Sequence, residues 1–376
     1  MKVEQPHTIL MTGATGFLGQ YVLRDLLRGG HRVQVMVRPP SGKSSQRLCG
    51  MLNEIGLEVK SCMDTGQMVL VEGALPDRIP DSHWGRTDAI VNCAASLGLF
   101  ANGNGDPFTT NTVGTEALIE WARRHGVRGF HAISTAYTCG WNAGVIKEEF
   151  HDPEPAFQTD YEKSKWLAEG LLKQWGQEAG NTLTVFRPSF LVGDSETGYT
   201  TQFAGFYQFA RLVSVLKQQY RTSDNGESTY IPLRIPGRPE DRQNVVSVDY
   251  VSRVIAEVIT RPPFHGRIYH LTNPEPPTND MMKRCYEQYF GLHGGYFADP
   301  EEVIGKCSQA ESILWDQYHP WTQRVVHTPQ FDTSNTQSIV EAAGITFPVL
   351  DQERISMLFD YAAARGWGRS NSTHGG

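Results

Sequence analysis

At 376 residues the chain is long for one domain and short for three, so one large domain with room for a smaller companion is expected. Hydrophobic residues make up 39% and charged residues 20%, the globular range, which excludes disorder for most of the length. The 34 basic against 41 acidic residues leave a net charge of −7, which argues against nonspecific attraction to phosphate backbones, so no nucleic acid is expected as a partner.

In chain order, residues 8 to 12 (TILMT) read as a strand, 17 to 28 (FLGQYVLRDLLR) as a helix and 32 to 37 (RVQVMV) as a second strand. Further strands are expected at 67–72, 88–92, 128–134 and 182–187, with helices at 108–125 and 158–179 between the later ones. This alternation predicts an α/β fold built on a doubly wound parallel sheet. Gly29-Gly30 closes the first helix, where a left-handed residue costs glycine least. After about residue 193 the rhythm breaks into Gly, Thr and aromatic residues, with Pro-rich loops at 232–239 and 273–277. The organisation expected is a Rossmann core at 1–192, a substrate-side insertion at 193–243 and a return to the core at 244–275. A smaller C-terminal substrate-binding region at 276–368 and a polar, frayed tail at 369–376 complete it.

Between the first strand and helix lies Thr12-Gly13-Ala14-Thr15-Gly16-Phe17-Leu18-Gly19, a G-x-x-G-x-x-G turn. Gly13 permits the tight turn, Gly16 removes a Cβ where a pyrophosphate must approach backbone N–H groups, and Gly19 lets the helix pack closely on the sheet. Thr12, Gly13, Thr15, Gly16, Phe17, Leu18 and Gly19 are therefore candidate dinucleotide contacts. At the end of the second strand, where an Asp or Glu would signal NAD, the chain has Val37-Arg38. Arginine there suits a 2′-phosphate, with Arg47 and Lys43 as further cations if the loop folds back, so NADPH/NADP is favoured over NADH. The plain alternative is that Arg38 is a solvated charge at a strand end.

Tyr161 and Lys165 stand four apart on a predicted helix, which puts them on one face. A phenol, with an ordinary pKa of about 10, needs a neighbouring cation to reach a useful range, and Lys165 is the expected source. The strand at 128–134 runs into Ser134-Thr135-Ala136-Tyr137 and delivers hydroxyls to the C-terminal edge of the sheet, where ligands bind in this architecture. Tyr-x-x-x-Lys alone also fits a surface helix with an amphipathic tyrosine. Together with the glycine turn, in this order, the three segments resemble the extended short-chain dehydrogenase/reductase family.

That resemblance implies a hydride-transfer enzyme in which Tyr161 is the general acid/base, Lys165 tunes it and holds the nicotinamide ribose, and Thr135, or Ser134 in its place, hydrogen-bonds the substrate oxygen. It further implies that Cys93, Ala94 and Ala95 run past the cofactor, with Ser96 at the substrate, and that Arg187-Pro188-Ser189 flanks the nicotinamide. Asn111 would brace the site, as a proton relay or as a polar residue satisfied by backbone. Relatives usually place an Asp after the third strand to contact adenine. Here the chain reads Glu72-Gly73-Ala74-Leu75, which leaves Ala74 and Leu75 to an apolar or main-chain contact.

Within the family, TGATGFLG, Val-Arg, Ser-Thr-Ala-Tyr, Tyr-Glu-Lys-Ser-Lys-Trp-Leu-Ala-Glu and the stretch 187–198 look most like thioester reductases and fatty acyl reductases of the male-sterility type. Phe203, Phe206, Tyr207, Ala210, Val213 and Leu216 recur at helical spacing, as a wall for an acyl chain or as core. The expected reaction is NADPH-dependent reduction of a carbonyl or of an acyl thioester brought by an acyl carrier protein or coenzyme A, and a homodimer is left open. A nucleotide-sugar epimerase or dehydratase holding NAD is the enzyme alternative, against which Arg38 speaks. A noncatalytic NADP-sensing protein is the other, against which Tyr161 and Lys165 weigh. The six cysteines, scattered without a C-x-x-C pair, point to a reducing compartment and no metal. No signal-peptide pattern opens the chain, and no run approaches the roughly 20 apolar residues of a membrane span, so a cytoplasmic protein is expected.

Overall fold

The computed structural model describes residues 6–142, 144–220, 228–299, 302–303, 307–314 and 329–369, so the expected tail lies outside them apart from its first residue. The chain divides into two compact units. One comprises Met1–Ser189, Val248–Thr272 and Phe331–Phe347, the other Phe190–Ser247, Asn273–Gln330 and Pro348–Gly376.

The first unit runs β1 (Thr8–Thr12), α1 (Phe17–Arg28), β2 (Arg32–Val37), α2 (Ser41–Glu54), α3 (Val59–Asp64), β3 (Met68–Glu72) and β4 (Ala89–Asn92). A π-helical turn, Thr109–Val113, then leads into α4 (Gly114–His125), β5 (Gly129–Ile133), β6 (Val145–Ile146), α5 (Asp160–Gly176) and β7 (Thr182–Pro188). With the strand Ile268–Leu271, β1–β5 and β7 form a seven-stranded parallel sheet, while β6 lies outside it. Its order is Ile268–Leu271, β7, β5, β4, β1, β2, β3, so the winding reverses between β1 and β4. That reversal opens a crevice at the strands' C-terminal ends. Helices cover both faces, which is why β2 is buried from Val33 to Val37 rather than alternating. Leu10, Ile90, Leu118, Trp121, Phe130 and Trp175 fill the core on one side.

Local chemistry explains most boundaries. α1 ends at Arg28, and of the glycine pair it is Gly30, at φ +91°, that turns left-handed while Gly29 stays right-handed. Thr159 caps α5 by accepting from the Glu162 N–H at 3.3 Å, and Glu162 reaches back to the Gln158 N–H at 3.1 Å. This reciprocal cap fixes the first turn, in which Tyr161 sits.

Two expectations change. The segment 232–239 is not simply a Pro-rich loop: Thr229–Pro236 is a strand paired in parallel with Leu292–Ala298 in the second unit. The register slips where Ile231 and Pro232 oppose Gly294, and a bulge of this kind tolerates proline's missing N–H. The region 276–368 is likewise not one piece, because the helix Ser334–Ala343 belongs to the first unit. Buried Glu148 holds it there, accepting from Thr336 Oγ1 at 3.1 Å, from the Asn335 N–H and from the His270 N–H at 2.8 Å.

In the second unit the helices Phe206–Tyr220, Asn279–Phe290 and Gln352–Ala364 meet around Leu216, Tyr286, Phe290 and Phe359. The aromatic stripe on Phe206–Tyr220 is spent on this core. Tyr207 is 1% exposed and its hydroxyl accepts from the Gly193 N–H at 2.8 Å, while Phe206 stacks on Phe359 at 5.2 Å. Of the two readings of the stripe, core packing is the one these contacts of Tyr207 and Phe206 follow, and the ring of Phe203 lies against Gly368. The stretch Gly193-Asp194-Ser195-Glu196-Thr197-Gly198 folds around Asp194, whose Oδ1 accepts from Glu196 N, Thr197 N and Thr197 Oγ1, each at 3.0 Å.

Candidate functional site

All of the candidate reaction-centre residues lie in the first unit. Gly13 turns at φ +72°, and a Cβ added there would lie 2.3 Å from the Ala94 nitrogen. A Cβ on Gly19 would sit 2.1 Å from the Gly13 carbonyl oxygen. Gly16 is exposed at the start of α1, where no side chain caps the helix and no acid occupies the first turn. The first-turn N–H groups thus face the crevice end of the sheet, the arrangement that attracts an anion. Phe17, Leu18 and Gly19 are buried, so their contribution to such a site is main-chain N–H and not side chain. Thr12 is also internal: its hydroxyl donates to Asn92 Oδ1 at 2.6 Å and accepts from the Ala94 N–H at 3.2 Å, tying β1 to the segment after β4. Gly19→Ala is expected to lower unfolding free energy by about 1–3 kcal/mol through overpacking, read from a denaturant melt.

Arg38, just past β2, and Lys43 and Arg47 on α2 are all exposed, and none forms an ion pair or side-chain hydrogen bond with another of the described residues. Ala74 and Arg78 exchange both main-chain hydrogen bonds at 2.8 Å, so the Ala74 N–H is already used. Ala74 itself therefore offers no free N–H to the adenine contact anticipated there. Leu75 packs against Gly114 and the core around Leu118.

The candidate reaction centre gathers at the end of β5. The hydroxyls of Thr135 and Tyr161 face one another, and Tyr161 is partly exposed. Burial and the Glu162 carboxylate hold this phenol above its usual range, with Thr135 opposing them. Lys165, expected to tune the phenol, makes no hydrogen bond to it. Lys165 Nζ instead donates to the Ile133 carbonyl at 2.8 Å and lies beside Cys93; burial brings its ammonium down to about 8, opposed by Cys93 and Glu169. Spacing of four shared a face but did not direct the tip of a four-carbon side chain. Burial pushes the Cys93 thiol up to about 12. Because Cys93 also abuts Gly13, the glycine turn and the Tyr161/Lys165 helix converge on one place.

Asn111 occupies the π-helical turn and is 2% exposed. Its Oδ1 accepts from the Ser96 N–H at 2.8 Å, and its Nδ2 donates to the Ser96 carbonyl at 3.0 Å and to Ser164 Oγ at 2.9 Å. Asn111 therefore braces the Ser96 backbone against α5. The buried Ser134 hydroxyl lies near Glu169 without a hydrogen-bond partner among the described residues, and of the two adjacent hydroxyls it is that of Thr135 that faces the phenol. Arg187 does not flank an open site with its side chain. It is 0% exposed, paired with Glu169 at 2.6 Å, and it also donates to the Glu149 carbonyl at 2.9 Å. Pro188 ends β7, and the buried Ser189 hydroxyl has no hydrogen-bond partner among the described residues.

The profile of the male sterility protein family, an NAD-binding family, matches residues 11–255. The chain belongs to this family. Its members share the extended short-chain dehydrogenase/reductase fold that the sheet order shows here. Among curated proteins, the chain is 23% identical over 95% of its length to the non-canonical nonribosomal peptide synthetase FrzA of Cladobotryum sp, covering 36% of that protein. It is 28% identical over 73% of its length to the aldehyde reductase lnbA of Aspergillus flavus, covering 27% of it. The chain therefore spans roughly a third of these relatives. Among solved structures, the terminal R domain of the myxalamid PKS-NRPS pathway superposes with a TM-score of 0.79 at 22% identity, over 97% of this chain and 93% of that one. Among the described residues no helix is long and apolar enough to cross a membrane.

Proposed function

We propose that the chain is an NADPH-dependent reductase of a carbonyl or acyl thioester, with Tyr161 as general acid. The observation that carries this reading is that the Tyr161 hydroxyl faces that of Thr135, which closely follows Ile133, whose carbonyl Lys165 Nζ grips at 2.8 Å, with Cys93 beside both Lys165 and the glycine turn at α1. A fit to a dinucleotide is supported by the uncapped start of α1, the exposed Arg38, Lys43 and Arg47, and the unpartnered Ser189 hydroxyl. The main chain from Thr15 to Leu18 would hold the pyrophosphate, Arg38 and Arg47 a 2′-phosphate, and Cys93, Ala94, Ala95, Lys165, Pro188 and Ser189 the nicotinamide end. When bound, the reduced cofactor supplies two electrons and a hydrogen to the substrate carbon.

The chain's own groups then handle the oxygen. Thr135 and Tyr161 hydrogen-bond it as negative charge develops, and Tyr161 gives it a proton. A phenol held above its usual range is protonated at neutral pH, which suits donation and so the reducing direction. Likeness to proteins named as a peptide synthetase and an aldehyde reductase leaves thioesters, on a carrier protein or on coenzyme A, and aldehydes as the classes to test.

The test is consumption of NADPH and of NADH against a panel of acyl thioesters, aldehydes and ketones. Faster turnover with NADPH on one of these classes is expected. Tight NADPH binding with no turnover on any of them would overturn the proposal and favour the sensing protein.

A further inference from the structure

We propose that the buried Glu169–Arg187 ion pair is a positioning element of this centre, holding Lys165 and the strand end that carries Thr135 in their working places. The inference rests on the reductase reading above. Tyr161, Lys165 and Glu169 succeed one another at intervals of four on α5 and so share a face. Arg187 Nε donates to Glu169 Oε1 at 3.0 Å and Nη2 to Oε2 at 2.6 Å, and the two side chains are 0% and 3% exposed. Two charges taken out of water this completely contribute little to stability compared with well-packed apolar residues, so stability alone does not explain the pair.

Its contacts lead to the reaction centre. The Ser134 hydroxyl faces Glu169, and the Ser134 N–H donates at 2.7 Å to the carbonyl of Phe186, the neighbour of Arg187 on β7. Lys165 grips the preceding Ile133 carbonyl. The backbone that presents Thr135 is thus anchored by Lys165 and by β7, the strand that carries Arg187. The groups acting on Lys165 are Cys93, from the segment after β4, and Glu169 on its own helix. Glu169 in turn is faced by Arg187 on β7, by Ser134 and by His151 ahead of α5. Arg187 is faced as well by His270 on the strand Ile268–Leu271, with Nη1 and Nε2 3.4 Å apart. Burial and the guanidinium keep both histidines neutral, at about 4 for His151 and about 3 for His270. Glu169 and Arg187 are then the charged members of this cluster, of opposite sign, so removing either one leaves the other's charge uncompensated four residues from Lys165 or across from it on β7.

The test follows the Lys165 titration by NMR of the full chain carrying 13C-labelled lysine, with the resonance assigned by its loss in Lys165→Arg. Glu169→Gln is expected to lower the midpoint by about one pH unit and Arg187→Met to raise it by about one, with the double variant near the parent. The alkaline limb of kcat/KM should move in the same order. Midpoints unchanged in both single variants, with only stability reduced, would overturn the proposal. If a single variant does not fold, the double variant, free of both charges, decides: a kcat about tenfold or more below the parent at an unchanged melting temperature is expected, and a parental kcat would overturn the proposal. A parent chain with no turnover on any substrate would instead overturn the reductase reading, while the titration still tests the pair.

Discussion

Tyr161→Phe is expected to lower kcat by roughly 10²–10⁴-fold, the contribution of a positioned proton donor, and to leave NADPH affinity nearly unchanged. The substitution removes one oxygen and keeps the ring, so the packing of α5 survives and the hydroxyl of Thr135 loses only the group it faces. Steady-state kinetics on whichever carbonyl substrate the panel identifies, with a fluorescence titration of NADPH, separates the two effects. Thr135 would still hydrogen-bond the substrate oxygen but could not replace the proton, since an aliphatic hydroxyl is a far weaker acid than a phenol. Full activity in this variant would end the role assigned to Tyr161. A parallel loss of NADPH binding would place the residue with the cofactor instead.

The second large effect concerns cofactor choice. Arg38→Glu is expected to weaken NADP binding by roughly 10–100-fold, because a charge-assisted hydrogen bond is worth about 1.5–3 kcal/mol and each 1.4 kcal/mol is about tenfold. NAD binding should hold or improve, since a carboxylate at the end of β2 can accept from a ribose hydroxyl. Arg47→Ala should add a smaller loss for NADP alone. Calorimetric titration of both dinucleotides checks this. Equal losses for both would show that Arg38 supports the loop, and no loss for either would return it to a solvated charge at a strand end.

The strands and first helices were legible because their signals are local. β1, α1 and β2 fall at the residues their apolar periodicity marks, and β3, β4, β5 and β7 lie within one residue of the expected ends. α2 and α3 were not anticipated. Ser41-Gly42-Lys43-Ser44-Ser45 has the composition of a loop, and α2 owes its place to Leu48, Met51 and Leu52, which are buried in the fold. The return of Ser334–Ala343 to the first unit was equally unreadable, since it hangs on hydrogen bonds to Glu148, nearly two hundred residues upstream. Glu169 did carry a signal that was passed over. It stands four residues beyond Lys165 on the face already singled out, and a carboxylate on a buried helical face requires a cation.

By itself the sequence determined the doubly wound core, the glycine turn, and the helix that carries Tyr161 and Lys165. These depend on φ angles available to glycine and on periodicities of 2 and 3.6, which act within a few residues. Where the side-chain tips go was settled by packing. It sent the Lys165 ammonium to Ile133, the Arg187 guanidinium to Glu169 and the ring of Tyr207 into its own unit's core. A buried charge or hydroxyl takes the partner that neighbouring strands and helices bring within about 3 Å, and that partner is set by packing between segments distant in sequence.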